Sequence, residues 1–362
     1  MRKLAAGTET GRTIVVLKKD LDNGRLNARI NEMLLSTPST LLTELRNIEK
    51  DDVDLLPECR LGVFARSIET VSRFLADFIV SSEPERVVRV PEPSASGGDD
   101  PTDLYTHLRA IGAIDNARTG EGVEVVILDT GVVEHPDFRA QLGLMKTFVG
   151  SDAVDRNGHG THCAGLIVGP RTGARAYGVA PNAKLHVGKV LNDNGLGVDW
   201  TILRGFCWAS HLPARVIVMC IASPVGATGP SAAYESVAQR VAARNGVVIA
   251  AAGNKIPNTA ERVNHPANCP TIFAVGAMTR KLNPADFSCV KEPPDGDGVE
   301  FTEPGVGIRS AWYDMTHKRQ NGTSMSAAIC AGVAALWVEY LPETDNLAKR
   351  LVLEQKVVLR CP

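Results

Sequence analysis

Apolar residues along this chain fall into short runs whose spacing changes once, near residue 95. Between residues 11 and 92, "RTIVVLKK" has the β-branched density of a strand, and "SIETVSRFLADFI" sets Ile68, Val71, Phe74, Leu75 and Phe78 on one helical face. "ERVVRVPEP" reads as a closing strand, so this stretch predicts a small α+β unit. "PEPSASGGDDP" then loses all apolar periodicity, as an exposed linker does. Beyond it "VEVVILD", "AKLHVGKVL", "ARVIVMCIA", "GVVIAAAGN" and "TIFAVGAM" are nearly continuous apolar runs, the pattern of strands covered on both faces. Helical patterns lie between them, in "DWTILRGFCWASHL" and in "SAAYESVAQRVAARN", where Ala233, Val237 and Val241 recur every four residues. Such alternation predicts an α/β, doubly wound, mainly parallel sheet with functional groups at the carboxyl ends of its strands. The expected organisation is a tail at 1–10, the α+β unit at 11–92, a linker at 93–103 and the large domain at 104–362.

Composition narrows the function. A length of 362 residues with 44% hydrophobic content supports a substantial core, and a formal net charge of −2 gives no basic surplus for nucleic acid. No run reaches the eighteen or so apolar residues that cross a bilayer, and "MRKLAAGTETGR" has no apolar leader segment. The expectation is a cytoplasmic chain without nucleic-acid or membrane partners, or a secreted one if a leader has been lost. Eight cysteines in this length make no disulfide framework, and no spacing matches a zinc site. Cys207, Cys220 and Cys330 read as small core residues; Cys269 and Cys289 are candidates to pair under oxidising conditions.

Ser324 heads the helical run "NGTSMSAAICAGVAALW". Alone it reads as an N-cap. The same place also suits a nucleophile, because free amides and a partial positive charge gather at a helix start. Asp129 closes the strand "VEVVILD" before a glycine turn, and His159 sits between Gly158 and Gly160 in "NGHGTHCAG", where glycine permits close backbone approach. Each residue has an ordinary alternative, a turn-capping Asp or a structural His, and His162 takes that supporting role. The three together, each in a glycine-rich setting on an α/β pattern, point to one site.

The segments "VVILDTG", "NGHGTHCAG" and "NGTSMSAA" resemble the three signature motifs of the subtilisin-like serine proteases, and the resemblance runs from about Leu104 to Trp337. It implies a triad in the order Asp, His, Ser, for which this family is itself a standard example. Carried over, Asp129 orients the imidazole, His159 is the base and Ser324 the nucleophile, while "GVVIAAAGN" supplies Asn254 as an oxyanion donor. The implied function is a serine endopeptidase acting on protein or peptide substrates; a narrow-specificity intracellular processing peptidase and a silent peptide-binding module are the alternatives.

Further implications follow from the resemblance. Gly195, Leu196 and Gly197, with Cys220, Ile221 and Ala222, would pair with a peptide as flanking strands. Ala252, Gly253 and Lys255 would border the primary pocket, with Ala222 narrowing its mouth and Lys255 disfavouring basic residues. Ala328 stands where relatives have Pro, and as a helix former it leaves the helix intact. The loop "VGPRTGARAYG", where relatives often hold calcium, lacks carboxylates and carries Arg171 and Arg175. No cofactor is expected there, with Asp137 the one remaining candidate ligand. Cys163 should lie near the base on its helix. Residues 11–92 resemble, more weakly, the inhibitory propeptides of the family. Autocleavage is then expected between Glu92 and Pro101, with "RVVRVPEP" in the substrate strands and the N-terminal domain an intramolecular inhibitor.

Overall fold

A computed structural model describes residues 5–40, 51–91, 106–173, 176–224, 229–255, 262–289 and 298–341. The N-terminal unit comprises β1 (Glu9–Leu17), α1 (Asn23–Ser36), β2 (Val53–Leu56), β3 (Leu61–Phe64), α2 (Ile68–Leu75) and β4 (Ile79–Arg89). Its first strand starts at Glu9, slightly ahead of the stretch read from the sequence. The second half of β1, Ile14–Leu17, is apolar throughout because both of its faces are buried. Val15 and Leu17 join Leu26, Ile30 and Met33 of α1 and Val71 and Leu75 of α2 in the unit's own core. Ile14 and Val16 point the other way, into a core shared with the large domain.

The large domain contains α3 (Thr106–Ala110), β5 (Glu124–Asp129), β6 (Leu142–Thr147), α4 (His159–Val168), β7 (Lys184–Lys189), β8 (Leu196–Val198), α5 (Asp199–Ser210), β9 (Val216–Met219), α6 (Ala232–Ala242), β10 (Val247–Ala251), β11 (Ile272–Met278), β12 (Phe301–Pro304), β13 (Ile308–Ala311), β14 (His317–Gln320) and α7 (Thr323–Tyr340). Seven strands form a parallel sheet in the order β12-β11-β10-β9-β5-β7-β6, the expected doubly wound α/β architecture. Along β5, Val125 and Ile127 face the core under α4 and α7, and Val126 and Leu128 face the core under α5 and α6. Burial on both faces explains the unbroken apolar runs.

α7 is one helix, among the described residues, long and apolar enough to cross a membrane by length and composition, and 89% of that window is buried in the core. The sequence reading missed β6, β12 and the antiparallel hairpin β13-β14.

The two units share a second sheet, β2-β3-β1-β4-β8, whose last strand belongs to the large domain. Carboxylates of β4 seat it on two helix starts. Glu83 Oε1 accepts from Ser231 Oγ at 2.7 Å and from Ala233 N–H at 3.0 Å at the head of α6, and Glu85 Oε1 accepts from Trp200 N–H at 3.2 Å at the head of α5. Both satisfy amides that have no partner within the helix and place negative charge at a positive helix end. Arg12 in turn holds Glu85 in a fully buried ion pair.

One correction concerns cysteine. Cys207 is not a lone core thiol but forms a disulfide with Cys59, 148 positions away, while Cys269 is a free thiol, so the candidate pairing of Cys269 with Cys289 is not formed.

Candidate active site

β5 ends at Asp129, and the chain leaves the sheet through Gly131, which has φ of +97°. α4 starts at His159 after Gly158, at φ +104°, where an added Cβ would fall 2.4 Å from the Trp312 ring. A Cβ at Gly160 would lie 2.1 Å from the Gly131 carbonyl oxygen, so only glycine lets the α4 head close onto the strand end. This contact sets His159 Nδ1 at 2.8 Å from Asp129 Oδ1 and 3.0 Å from Oδ2, both side chains being buried.

Asp155, which the sequence reading did not single out, organises that junction. Its Oδ1 accepts from Thr130 Oγ1, Asn157 N–H and Gly158 N–H, each at 2.9 Å, and its Oδ2 from Thr161 N–H at 2.9 Å and Oγ1 at 2.7 Å. Thr130 Oγ1 accepts in turn from Gly160 N–H at 2.9 Å, tying strand end to helix start. The signal in sequence is an Asp three residues before a glycine turn, a side chain apt to accept from following backbone amides.

His162 is structural, as read. Its Nε2 lies 3.1 Å from the carbonyl oxygens of Ile308 and Lys318 and so anchors the hairpin β13-β14. Complete burial pushes its pKa down to about 3.

Ser324 is the second residue of α7, whose N-cap is Gly322, so its hydroxyl is not the cap. Ser324 Oγ donates to the Cys220 carbonyl oxygen at 2.9 Å, while the buried His159 Nε2 has no hydrogen-bond partner among the described residues. Cys163 lies between the two helix heads, its Sγ 4.0 Å from His159 Nδ1 and 3.9 Å from the Ser324 carbonyl oxygen. Burial raises that thiol well above its ordinary pKa, which makes it inert. Asn254 follows the turn after β10. Its Oδ1 accepts from Thr323 N–H and Oγ1, both at 3.1 Å, which fixes the amide beside the α7 head.

The remaining predicted residues divide into two groups. Gly195, Leu196, Gly197 and Ala222 meet the N-terminal unit: Val87, Val88 and Arg89 of β4 pair antiparallel with Val198, Gly197 and Leu196, Val90 N–H donates to the Gly195 carbonyl at 3.0 Å, and Arg89 bridges to Ala222 on the other side. Cys220 and Ile221 are buried beside this groove. Ala252 and Gly253 are held by their backbone beside the α7 head, the Ala252 carbonyl oxygen accepting from Asn264 N–H at 2.8 Å and Gly253 N–H donating to Thr323 Oγ1 at 3.1 Å. Lys255 N–H donates to Phe287 at 2.7 Å. Arg175 and the linker with its expected cleavage site lie outside the described residues.

In the loop after α4, Arg171 donates to the carbonyl oxygens of Val179 at 3.1 Å and Asn116 at 2.7 Å. Asp137 Oδ2 accepts from Tyr177 Oη and His317 Nε2, each at 2.8 Å. A guanidinium therefore sits on carbonyl oxygens near the place where a hard cation would need them.

Comparison with known proteins agrees with this geometry. The model of the subtilase family matches residues 120–357. Subtilisin BL of Lederbergia lenta is 34% identical over 245 residues, covering 68% of this chain and 87% of that protein. An alkaline protease of Alkalihalobacillus alcalophilus is 35% identical over 245 residues, and the match spans 61% of its length. A solved cold-adapted subtilisin-like serine proteinase superposes with a TM-score of 0.58 at 30% identity, covering 68% of this chain and 86% of that one.

Proposed function

The chain belongs to the subtilase family, and from that premise we propose that it is a serine endopeptidase that acts through Asp129, His159 and Ser324 and is made as an autoprocessed zymogen. The observation that carries this reading is the buried His159–Asp129 pair, at 2.8 Å, beside the head of the helix that bears Ser324.

Asp129 accepts from Nδ1–H and so leaves the Nε2 lone pair as the base. Ser324 Oγ reaches that nitrogen by rotating away from the Cys220 carbonyl, gives up its proton and attacks the peptide carbonyl. Bond cleavage then follows as His159 returns the proton to the leaving amine, and water releases the acyl-enzyme by the same route. The developing oxyanion meets the Ser324 N–H at the start of α7 and the amide of Asn254, held by Thr323. Loss of such a side-chain donor costs about 3 kcal/mol of transition-state stabilisation, a size established on a member of this same family. Asn254→Ala should therefore lower kcat far more than it changes KM.

The N-terminal unit acts as the inhibitor. Its strand β4 runs through the groove between residues 195–198 and Ala222, as a peptide substrate would, with backbone pairing on both sides. The loop after α4 needs no calcium in this reading, because the Arg171 guanidinium already takes the Val179 and Asn116 carbonyl oxygens, and Asp137 is taken up by Tyr177 and His317.

A fluorophosphonate probe tests the reading. Protein freed of its N-terminal unit should be labelled at Ser324, and Ser324→Ala should abolish labelling without lowering Tm. Equal labelling of both proteins would reject the assignment.

A further inference from the structure

We propose that the N-terminal domain remains covalently bound to the catalytic domain after the linker is cut, and that the inhibitor leaves only when a thiol reduces Cys59–Cys207. This rests on the endopeptidase reading above and adds its regulation.

The topology carries the argument. Cys59 ends the turn between β2 and β3 of the N-terminal unit, and Cys207 lies in α5 of the catalytic domain. The expected cut lies between residues 92 and 101, hence between the two cysteines in sequence. Cutting therefore yields two chains joined by one covalent bond. Cys59 is the one cysteine on the N-terminal side of the expected cut, and the other seven lie beyond it. Among the described residues this disulfide is the one covalent bridge between the units.

The bridge also sits where it preserves inhibition. α5 follows directly on β8, the strand that pairs with Val87, Val88 and Arg89, and its first turn receives Glu85 and Arg86. Cys207 is eight residues further along the same rigid helix, about 12 Å at 1.5 Å per residue. A tether this short keeps the cut inhibitor at an effective concentration of order millimolar, far above that of a free fragment.

A reductant has a route in. Both cysteines are buried, and Glu58, which touches Cys207 Sγ, lines a neighbouring cleft. An open cleft of about 640 Å³ is lined by Leu56 and Glu58 from one side and Phe148, Arg204, Trp208 and His211 from the other. Glu58 Oε1 lies 3.8 Å from Cys207 Sγ, and a ring nitrogen of the exposed His211 lies within 4.8 Å of both sulfurs. Displacing Glu58 opens the bond to attack, and the thiolate that leaves takes its proton from solvent in the cleft.

The reaction balances as ordinary exchange. A thiolate of a dithiol attacks one sulfur, the Cys59–Cys207 bond breaks, and the other cysteine leaves as thiolate and takes a proton. The second thiol of the reductant then resolves the mixed disulfide. Two electrons and two protons pass to Cys59 and Cys207, and the dithiol becomes a disulfide. Disulfides persist in oxidising compartments, so a cut enzyme stays latent there and becomes active where a dithiol meets it.

The test uses the full chain, purified without reductant, and dithiothreitol as the dithiol. After self-cleavage, a denaturing gel without reductant should show one species and with reductant two. Activity on a peptide at nanomolar enzyme should rise at least about tenfold on reduction, given the loss of the tether's effective concentration. Cys59→Ser should be active after cleavage without dithiothreitol and should not respond to it. Separation of the two chains without reductant overturns the proposal, as does full activity while they are still linked. A parallel sample carries Ser324→Ala and a viral-protease recognition sequence within residues 93–103. If the wild type neither cuts itself nor cleaves peptide with or without dithiothreitol, the endopeptidase reading fails. The tether is then decided on the parallel sample by the same pair of gels.

Discussion

His159 Nδ1 lies 2.8 Å and 3.0 Å from the two oxygens of Asp129, and both residues are buried against water. An acceptor held at that nitrogen fixes the proton there and leaves Nε2 free to act as base. Asp129→Asn would present N–H to the same nitrogen and favour the wrong tautomer. Its kcat should fall about 10⁴-fold with little change in KM or Tm. Steady-state kinetics checks this on Asp129→Asn and wild type both cut by an added protease at a recognition sequence placed within residues 93–103 and then reduced, and a loss below tenfold would show that Asp129 does not orient the ring.

His162 sets an acid limit on stability. Burial holds its pKa at about 3 in the folded chain, while the unfolded chain takes up the proton near the ordinary value of about 6.5. Between those values the unfolded state binds more protons, so stability is full above about pH 6.5 and is lost as pH falls, by up to about 1.4 kcal/mol per unit from this group. Thermal melts of Ser324→Ala from pH 8 to pH 4 should show this fall, and adding His162→Gln should flatten it. Parallel curves for the two proteins would contradict the assignment.

The guanidinium of Arg171 on the Val179 and Asn116 carbonyls predicts indifference to chelators. Binding of an ion to the folded state alone would raise stability by RT ln(1 + [L]/Kd). Tm in excess EDTA should therefore equal Tm in millimolar calcium, and a lower Tm in EDTA would reveal a calcium site.

Much of this was readable in the chain because burial leaves a strong mark. β5, β9, β10 and β11 are apolar on both faces, β7 on the face of Leu185 and Val187, and α6 repeats its buried residues every four positions. The hairpin β13-β14 escaped because "HKRQ" has no apolar face; backbone pairing and His162 hold it. α1 carried a usable signal that was passed over, with Leu26, Ile30 and Met33 after the capping Asp22. Asp155 was hidden for a different reason, since its five donors come from the end of β5, the turn at Asn157 and Gly158, and Thr161 of α4, whose convergence one sequence does not display. The Cys59–Cys207 bond was misread because pairing across 148 positions depends on how two domains dock. The place of Ser324 at the head of α7 was legible, but its rotamer on the Cys220 carbonyl depends on packing there.

The most direct measurement compares the intact masses of wild-type and Ser324→Ala protein after purification and full reduction. The account predicts two wild-type fragments that divide the chain between residues 92 and 101, and an undivided Ser324→Ala chain. Division of both proteins at the same bond, or of neither, would contradict Ser324 as the nucleophile that matures its own chain.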